Sequence, residues 1–139
     1  MSNINFFTEN ISYRLQHKTK IRQLLKLLAE EEGKNIGEIN YIFCSDDYLL
    51  NINKEYLKAD YLTDVITFDY CEKNIISGDI YISIERVKEN SKLYHQLFFQ
   101  ETLRIIIHGA LHLCGYKDKK PSEEKTMRKK EDYYLKKYI

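Results

Sequence analysis

Residues Arg104 to Asp118 read R-I-I-I-H-G-A-L-H-L-C-G-Y-K-D, and this stretch decides the fold. It is almost wholly apolar up to Gly115, so as a helix it is a buried one. His108 and His112 interrupt it, four residues apart. At helical pitch the two imidazoles lie on one face, one above the other. Burying two imidazoles is costly unless a partner satisfies them. Gly115 offers the helix a stop, and a short turn beyond it swings Asp118 back toward the rings. Two ring nitrogens and one carboxylate oxygen make a three-ligand metal site that keeps a position open for water. The bland alternative for a bare H-x-x-x-H is a pair of core histidines bonded to backbone.

Three features favour the metal. The pair sits in an apolar helix, a glycine follows three residues after His112, and an acid stands ten residues after His108. The zinc-peptidase pattern H-E-x-x-H-x-x-G-x-x-H has this spacing. Here Gly109 takes the place of the glutamate that serves a peptidase as general base, so the ligand scaffold is kept and that base is absent. The block His108-Gly109-Ala110-Leu111-His112-Leu113-Cys114-Gly115-Tyr116 resembles the H-G-x-L-H-L-x-G-Y signature of the YbeY family. That family comprises bacterial metal-dependent endoribonucleases that act in ribosomal RNA maturation. Its third ligand is usually a histidine after D; here Lys117 and Asp118 follow, so the resemblance puts Asp118 at that position. A carboxylate there lowers the net charge of the site by one unit and predicts a less acidic bound water.

A second, looser block resembles the same family: Asn51, Tyr56, Asp60, Thr63-Asp64-Val65, Phe68 and Gly78-Asp79-Ile80. Leu57 stands where the family has an arginine and Leu62 where it has a proline. The resemblance gives that arginine a phosphate-handling role, for which Lys58, Lys117 and Arg104 are the candidate substitutes. Arg104 lies one turn before His108 on the same stripe. It is read either as a cation aimed at substrate phosphate or as the partner of Glu101 or another core acid.

The chain has 139 residues, 43% hydrophobic and 31% charged, which fits one soluble domain with a real core over 1–139. A net charge of +1 gives no global attraction for a polyanion, so nucleic-acid contact must come from local clustering. Three cysteines without a C-x-x-C pair point to free thiols and a reducing, cytoplasmic setting. The N-terminus lacks a signal-peptide pattern, and no apolar run approaches the ~20 residues of a membrane span.

Taken in order, Ile4 to Phe7 is β-prone. Lys18 to Glu32 is an amphipathic helix with Ile21, Leu24, Leu25 and Leu28 on one face and Gly33 as its stop. Ile39 to Cys44 is a second strand, and strand–helix–strand implies a parallel pair. Ser45 caps a short helix with Asp46 and Asp47 at its positive end. Val65 to Tyr70 and Gly78 to Ile84 make a hairpin across a loop holding Asn74 and Ser77. Glu85 to His95 is a polar helix, and Leu97 to Cys114 is the buried one. Pro121 starts the last helix, where Met127, Glu131, Tyr134 and Tyr138 share a face. Glu131 on that face is either a partner for a ligand histidine or half of a structural ion pair.

From Lys117 onward nine basic residues face five acids. Such a surface is ordinarily only solvated; beside a metal cleft it also suits an RNA backbone. Twelve tyrosines suit base stacking, though most are packing residues.

These readings predict an α/β (α+β) fold: a small mixed sheet of about four strands, mainly parallel with a hairpin partner, packed by helices including a zinc-peptidase-like metal helix. The resemblance implies a single-strand endoribonuclease acting on ribosomal RNA, with His108, His112 and Asp118 holding one divalent ion, zinc first among the candidates. It further implies the ribosome or small-subunit assembly factors as partners, and neither DNA nor membrane. Two other readings stand beside it: an assembly factor whose metal only braces the fold, and a metallopeptidase.

Overall fold

The structure is a computed structural model and describes residues 3–58 and 63–138. Asp60 and Leu62 of the second sequence block lie outside the described residues. Among those described, the elements run β1 (Asn3–Glu9), α1 (Lys18–Glu31), β2 (Asn35–Cys44), α2 (Asp46–Leu57), β3 (Val65–Asp69), β4 (Ile75–Ser83), α3 (Ile84–Leu93), α4 (Phe98–Leu113) and α5 (Pro121–Lys137). The sheet order is β1-β2-β4-β3. β1 pairs parallel with β2, β2 parallel with β4, and β3 antiparallel with β4. This is the small mixed α+β sheet that the sequence predicts.

β1 and β2 run longer than expected and β3 stops at Asp69, one residue short; both ends of β4 also differ from the expectation. Ser77 lies inside β4 instead of in the turn, because the reversal is tighter: Glu72 and Ile75 exchange backbone hydrogen bonds at 3.0 and 2.9 Å, and Lys73 adopts positive φ. Ile84 begins α3, since Ser83 ends the strand and its side chain accepts from the Arg86 N–H as an N-cap. Ser45 caps α2 in the same way through the Tyr48 N–H.

The main core lies between one face of the sheet and helices α1 and α4, closed by Met127 and Tyr134 of α5. A smaller cluster of Cys44, Leu49 and Ile66 sits under α2. α4 carries ten buried residues, and its centre is tied to the sheet by the buried Tyr41 hydroxyl, which donates to the Ile106 carbonyl at 2.8 Å. The helix also lies very close to β4. A Cβ at Gly109 would stand 2.9 Å from both Cδ1 and Cγ2 of Ile80. Glycine therefore sets how near the histidine helix approaches the sheet.

The direction of position 109 bears on the peptidase reading. It faces the sheet, so a side chain there would meet Ile80 and not the histidine stripe. Geometry and sequence thus deny a peptidase's base for separate reasons.

Candidate functional site

α4 ends at Leu113, and Gly115 takes φ +108°, a conformation that favours glycine. The chain reverses there, with Gly115 N–H on the His112 carbonyl and Tyr116 N–H on the Leu111 carbonyl. Tyr116 then donates its hydroxyl to Glu32 Oε1 at 2.7 Å. Glu32 also accepts from Tyr134 at 2.6 Å and Lys130 at 3.1 Å. One carboxylate at the end of α1 thereby pins both the return loop and α5. Burial acts to raise the Glu32 pKa, but the hydrogen bonds from Tyr134, Tyr116 and Lys130 outweigh it and hold it below the usual range.

With the loop so held, Asp118 Oδ2 lies 3.2 Å from His108 Nε2. The other ring nitrogen, Nδ1, lies 2.8 Å from Glu131 Oε2 of α5 and donates to it. Arg104 grips the second Glu131 oxygen at 2.9 Å and reaches Asp132 at 2.7 Å. A chain of contacts results: Asp132, Arg104, Glu131, His108, Asp118. Burial opposes charge on His108, but Glu131, then Asp118 and Asp64, raise its pKa above the ordinary value. Burial likewise acts to raise the Glu131 pKa, and the hydrogen bonds from His108 and Arg104 bring it below the usual range.

His112 sits one turn further along α4. Its Nδ1 is buried and has no hydrogen-bond partner among the described residues. Burial lowers its pKa, which keeps the ring neutral and a lone pair available. Among the described residues no three histidine, cysteine, aspartate or glutamate side chains are drawn together as a finished ligand set. His108 and Asp118 are in contact; His112 lies one turn along α4 and is not among the residues that line the cleft, so two of the three expected ligands meet directly.

The donors nevertheless fit a divalent cation. With Nδ1–H given to Glu131, a neutral His108 points its Nε2 lone pair at a carboxylate oxygen. Two acceptors 3.2 Å apart repel each other unless a positive centre lies between them. In the protein alone a proton on Nε2 fills that role. A metal ion offers the same service, and His112, whose ring burial keeps neutral, stands one turn along the helix as a further imidazole donor.

The site opens into a cleft of about 650 Å³ between α4, α5 and the start of β3. Among the described residues, five carboxylates line it: Asp64, Glu101, Asp118, Glu124 and Glu131. Three cations accompany them, and Arg104, one of the three, is engaged by Glu131 and Asp132. The other two, Lys125 and Arg128, stand on the α5 wall, with the Arg128 guanidinium 3.9 Å from Glu131 Oε1. Arg104 is thus paired with acids from α5 and not with Glu101. Lys58 is exposed at the C-cap of α2 and Lys117 is exposed on the return loop; neither lines the cleft. Leu57, at the family arginine's position, is 51% exposed.

Two cleft residues, Asp64 and Glu101, are more central to the site than their sequence context signals. Asp64 appears there only as part of a motif; burial raises its pKa, and its carboxylate accepts from Asn90 at 3.4 Å. Glu101 appears only as a candidate counter-ion for Arg104, although its spacing from Arg104 and His108 places all three on one helical stripe. That periodicity was the available signal.

Comparison with known proteins points the same way. The family model described as Endoribonuclease YbeY matches residues 3–139. An Endoribonuclease YbeY of Cytophaga hutchinsonii is 51% identical over 133 residues, 95% of this chain and 93% of that one. Another, from Karelsulcia muelleri, is 47% identical over 98% of this chain and 99% of its own. Among solved structures, the solution structure of TM1509 from Thermotoga maritima superposes with a TM-score of 0.69 at 27% identity, covering 97% of this chain and 88% of that one.

Proposed function

Since the chain belongs to the YbeY family of endoribonucleases, we propose that it cleaves single-stranded RNA in ribosomal RNA maturation, with a divalent ion held by His108, His112 and Asp118. The observation that carries the metal is the facing of His108 Nε2 and Asp118 Oδ2 at 3.2 Å, with Nδ1 already committed to Glu131. When bound, the ion polarises a phosphoryl oxygen and lowers the pKa of water.

The remaining work belongs to the protein. Glu131 fixes the His108 tautomer, so that Nε2 and not Nδ1 faces the cleft. Arg104 holds Glu131 in place and cancels its charge, which makes Arg104 a positioning residue. Asp118 brings the negative charge that balances a cation. The carboxylate-rich lining repels a bare polyanion, so phosphate enters only where positive charge offsets it. Lys125 and Arg128 on the α5 wall supply part of that charge.

Zinc fits two imidazoles and a carboxylate. Partners on this reading are ribosomal RNA and the ribosome or small-subunit assembly factors, and the setting is the cytoplasm. Among the described residues no helix is long and apolar enough to cross a membrane, and Cys44, Cys71 and Cys114 are free thiols.

The test is cleavage of single-stranded RNA by the native protein and by His112→Ala, with metal content measured on both. Native protein is expected to carry about one divalent ion per chain and to cleave; the variant is expected to do neither. Cleavage that survives in a metal-free His112→Ala protein would defeat the proposal.

A further inference from the structure

The end of the cleft away from Asp118 contains a second arrangement. Glu101 is only 6% exposed, yet it lines the cleft, and its carboxylate makes no hydrogen bond or ion pair among the described residues. The neighbouring cation, Arg104, is taken by Glu131 and Asp132. The Glu101 carboxylate opens onto the cleft, where burial pushes its pKa up while Arg104 and Arg128 act on it only through charge, in the opposite direction. At the same end Tyr94, just after α3, lines the cleft with 57% of its surface exposed. Leu93 and Leu97, close to it in sequence, are 68% and 75% exposed, so the chain around Tyr94 is open and apolar.

Glu101 lies seven residues before His108 on α4, roughly 10 Å along the helix axis. That span is too long for Glu101 to share the reacting phosphate with His108. It suits the nucleotide next door.

On the reading that single-stranded RNA occupies this cleft, we infer that Tyr94 and Glu101 form a nucleobase subsite, Tyr94 stacking on the base and Glu101 accepting from paired N–H donors on its edge. A carboxylate has two oxygens and accepts only. Of the four RNA bases, guanine presents two adjacent N–H donors, N1–H and N2–H, on its Watson–Crick edge. That edge is free only in an unpaired strand, so the subsite selects for single-stranded RNA as well as for guanine. Adenine and cytosine each set a ring acceptor beside the amine, and uracil sets carbonyls beside its one N–H; all three turn lone pairs toward Glu101.

The experiment uses short labelled single-stranded oligoribonucleotides that differ at one position by guanine, inosine or adenine. Cleavage is read with the native chain and Glu101→Gln. Equilibrium binding is read with His112→Ala and with the Glu101→Gln/His112→Ala double variant. The expected preference for guanine over adenine is about tenfold or more, with inosine between them because it lacks the N2 amine. Glu101→Gln should bring that ratio close to one. Tyr94→Ala should weaken all three oligonucleotides by roughly tenfold, and Tyr94→Phe should restore binding. Equal binding of the three bases by His112→Ala, or a guanine preference that survives Glu101→Gln, would overturn the subsite. Because binding is read in a non-cleaving background, these outcomes are separate from the fate of the proposed activity. Cleavage without base preference sinks the subsite alone, and guanine-selective binding without cleavage by native protein sinks the nuclease reading alone.

Discussion

Replacing Gly109 by alanine tests how the histidine helix is seated. Gly to Ala inside a helix normally stabilises by about 1 kcal/mol, because alanine gives up less backbone entropy. Here the new methyl would lie 2.9 Å from two carbons of Ile80 and 3.4 Å from a third, against roughly 3.5–4.0 Å for a comfortable carbon contact. Ile80 is fully buried and β-branched, so a turn about χ2 moves Cδ1 but leaves Cγ2 where it is. Overpacking of this kind costs about 1–3 kcal/mol. The balance is a net loss of about 1 kcal/mol, or roughly 3–5 °C in Tm for a chain of this size. Ile80→Ala alone should cost about 2–5 kcal/mol through its cavity. In the double variant the methyl added at position 109 enters that cavity, so the two changes should couple favourably by about 1 kcal/mol or more. Urea denaturation of the four proteins supplies the cycle. If Gly109→Ala gained its full helical stabilisation and the coupling were zero, α4 would not be seated against β4 as described. Activity offers a second readout: a helix lifted off the sheet displaces His108 and His112 from Asp118, so cleavage should fall more than the loss of stability accounts for.

Other expectations follow from the contacts around His108. Glu131→Gln should weaken divalent-metal affinity by roughly 10- to 100-fold, read by titration against a competing chelator, because a neutral amide holds the Nδ1–H less strongly than the carboxylate does; unchanged affinity would leave Glu131 a purely structural ion. Tyr116→Phe removes a hydrogen bond to a charged group and should cost about 1.5–3 kcal/mol in denaturation, with a further loss of cleavage as the return loop bearing Asp118 loosens. Glu32→Ala strands the buried Tyr134 hydroxyl and should cost about 1–3 kcal/mol near pH 7. The pH dependence has a definite sign: a carboxyl whose folded pKa is depressed stabilises the fold above the unfolded value of about 4.3, and that stability is lost as pH falls through the folded pKa. The gap between native protein and Glu32→Ala should therefore narrow below about pH 4; a gap that stayed constant into acid would mean that Glu32 contributes by packing alone.

Much of this was legible in the sequence because it rests on local rules. The 3.6-residue rhythm of Ile105, Ile106 and Leu113, broken by His108 and His112, marks a buried helix with one polar stripe. Gly115 and Pro121 mark where helices stop and start. The hidden part depends on contacts distant in sequence. Nothing in the order of residues says that Glu32 gathers Tyr116, Tyr134 and Lys130, since those partners lie 84 to 102 positions away. Arg104's choice of acids was open for the same reason: Glu101 is its neighbour by spacing, but Glu131 and Asp132 reach it from another helix and satisfy both ends of its guanidinium. That choice leaves Glu101 without a hydrogen bond or ion pair among the described residues, although spacing alone made it the plainest partner for Arg104.

The two carboxylates that flank His108 come later in the chain than the helix bearing it: Asp118 from the return loop and Glu131 from the last helix. Synthesis runs from the N-terminus, and structure forms as the chain emerges. A chain folded through α4 but not beyond it would carry the imidazole without either acid, so the site is assembled only when the return loop and α5 pack against α4.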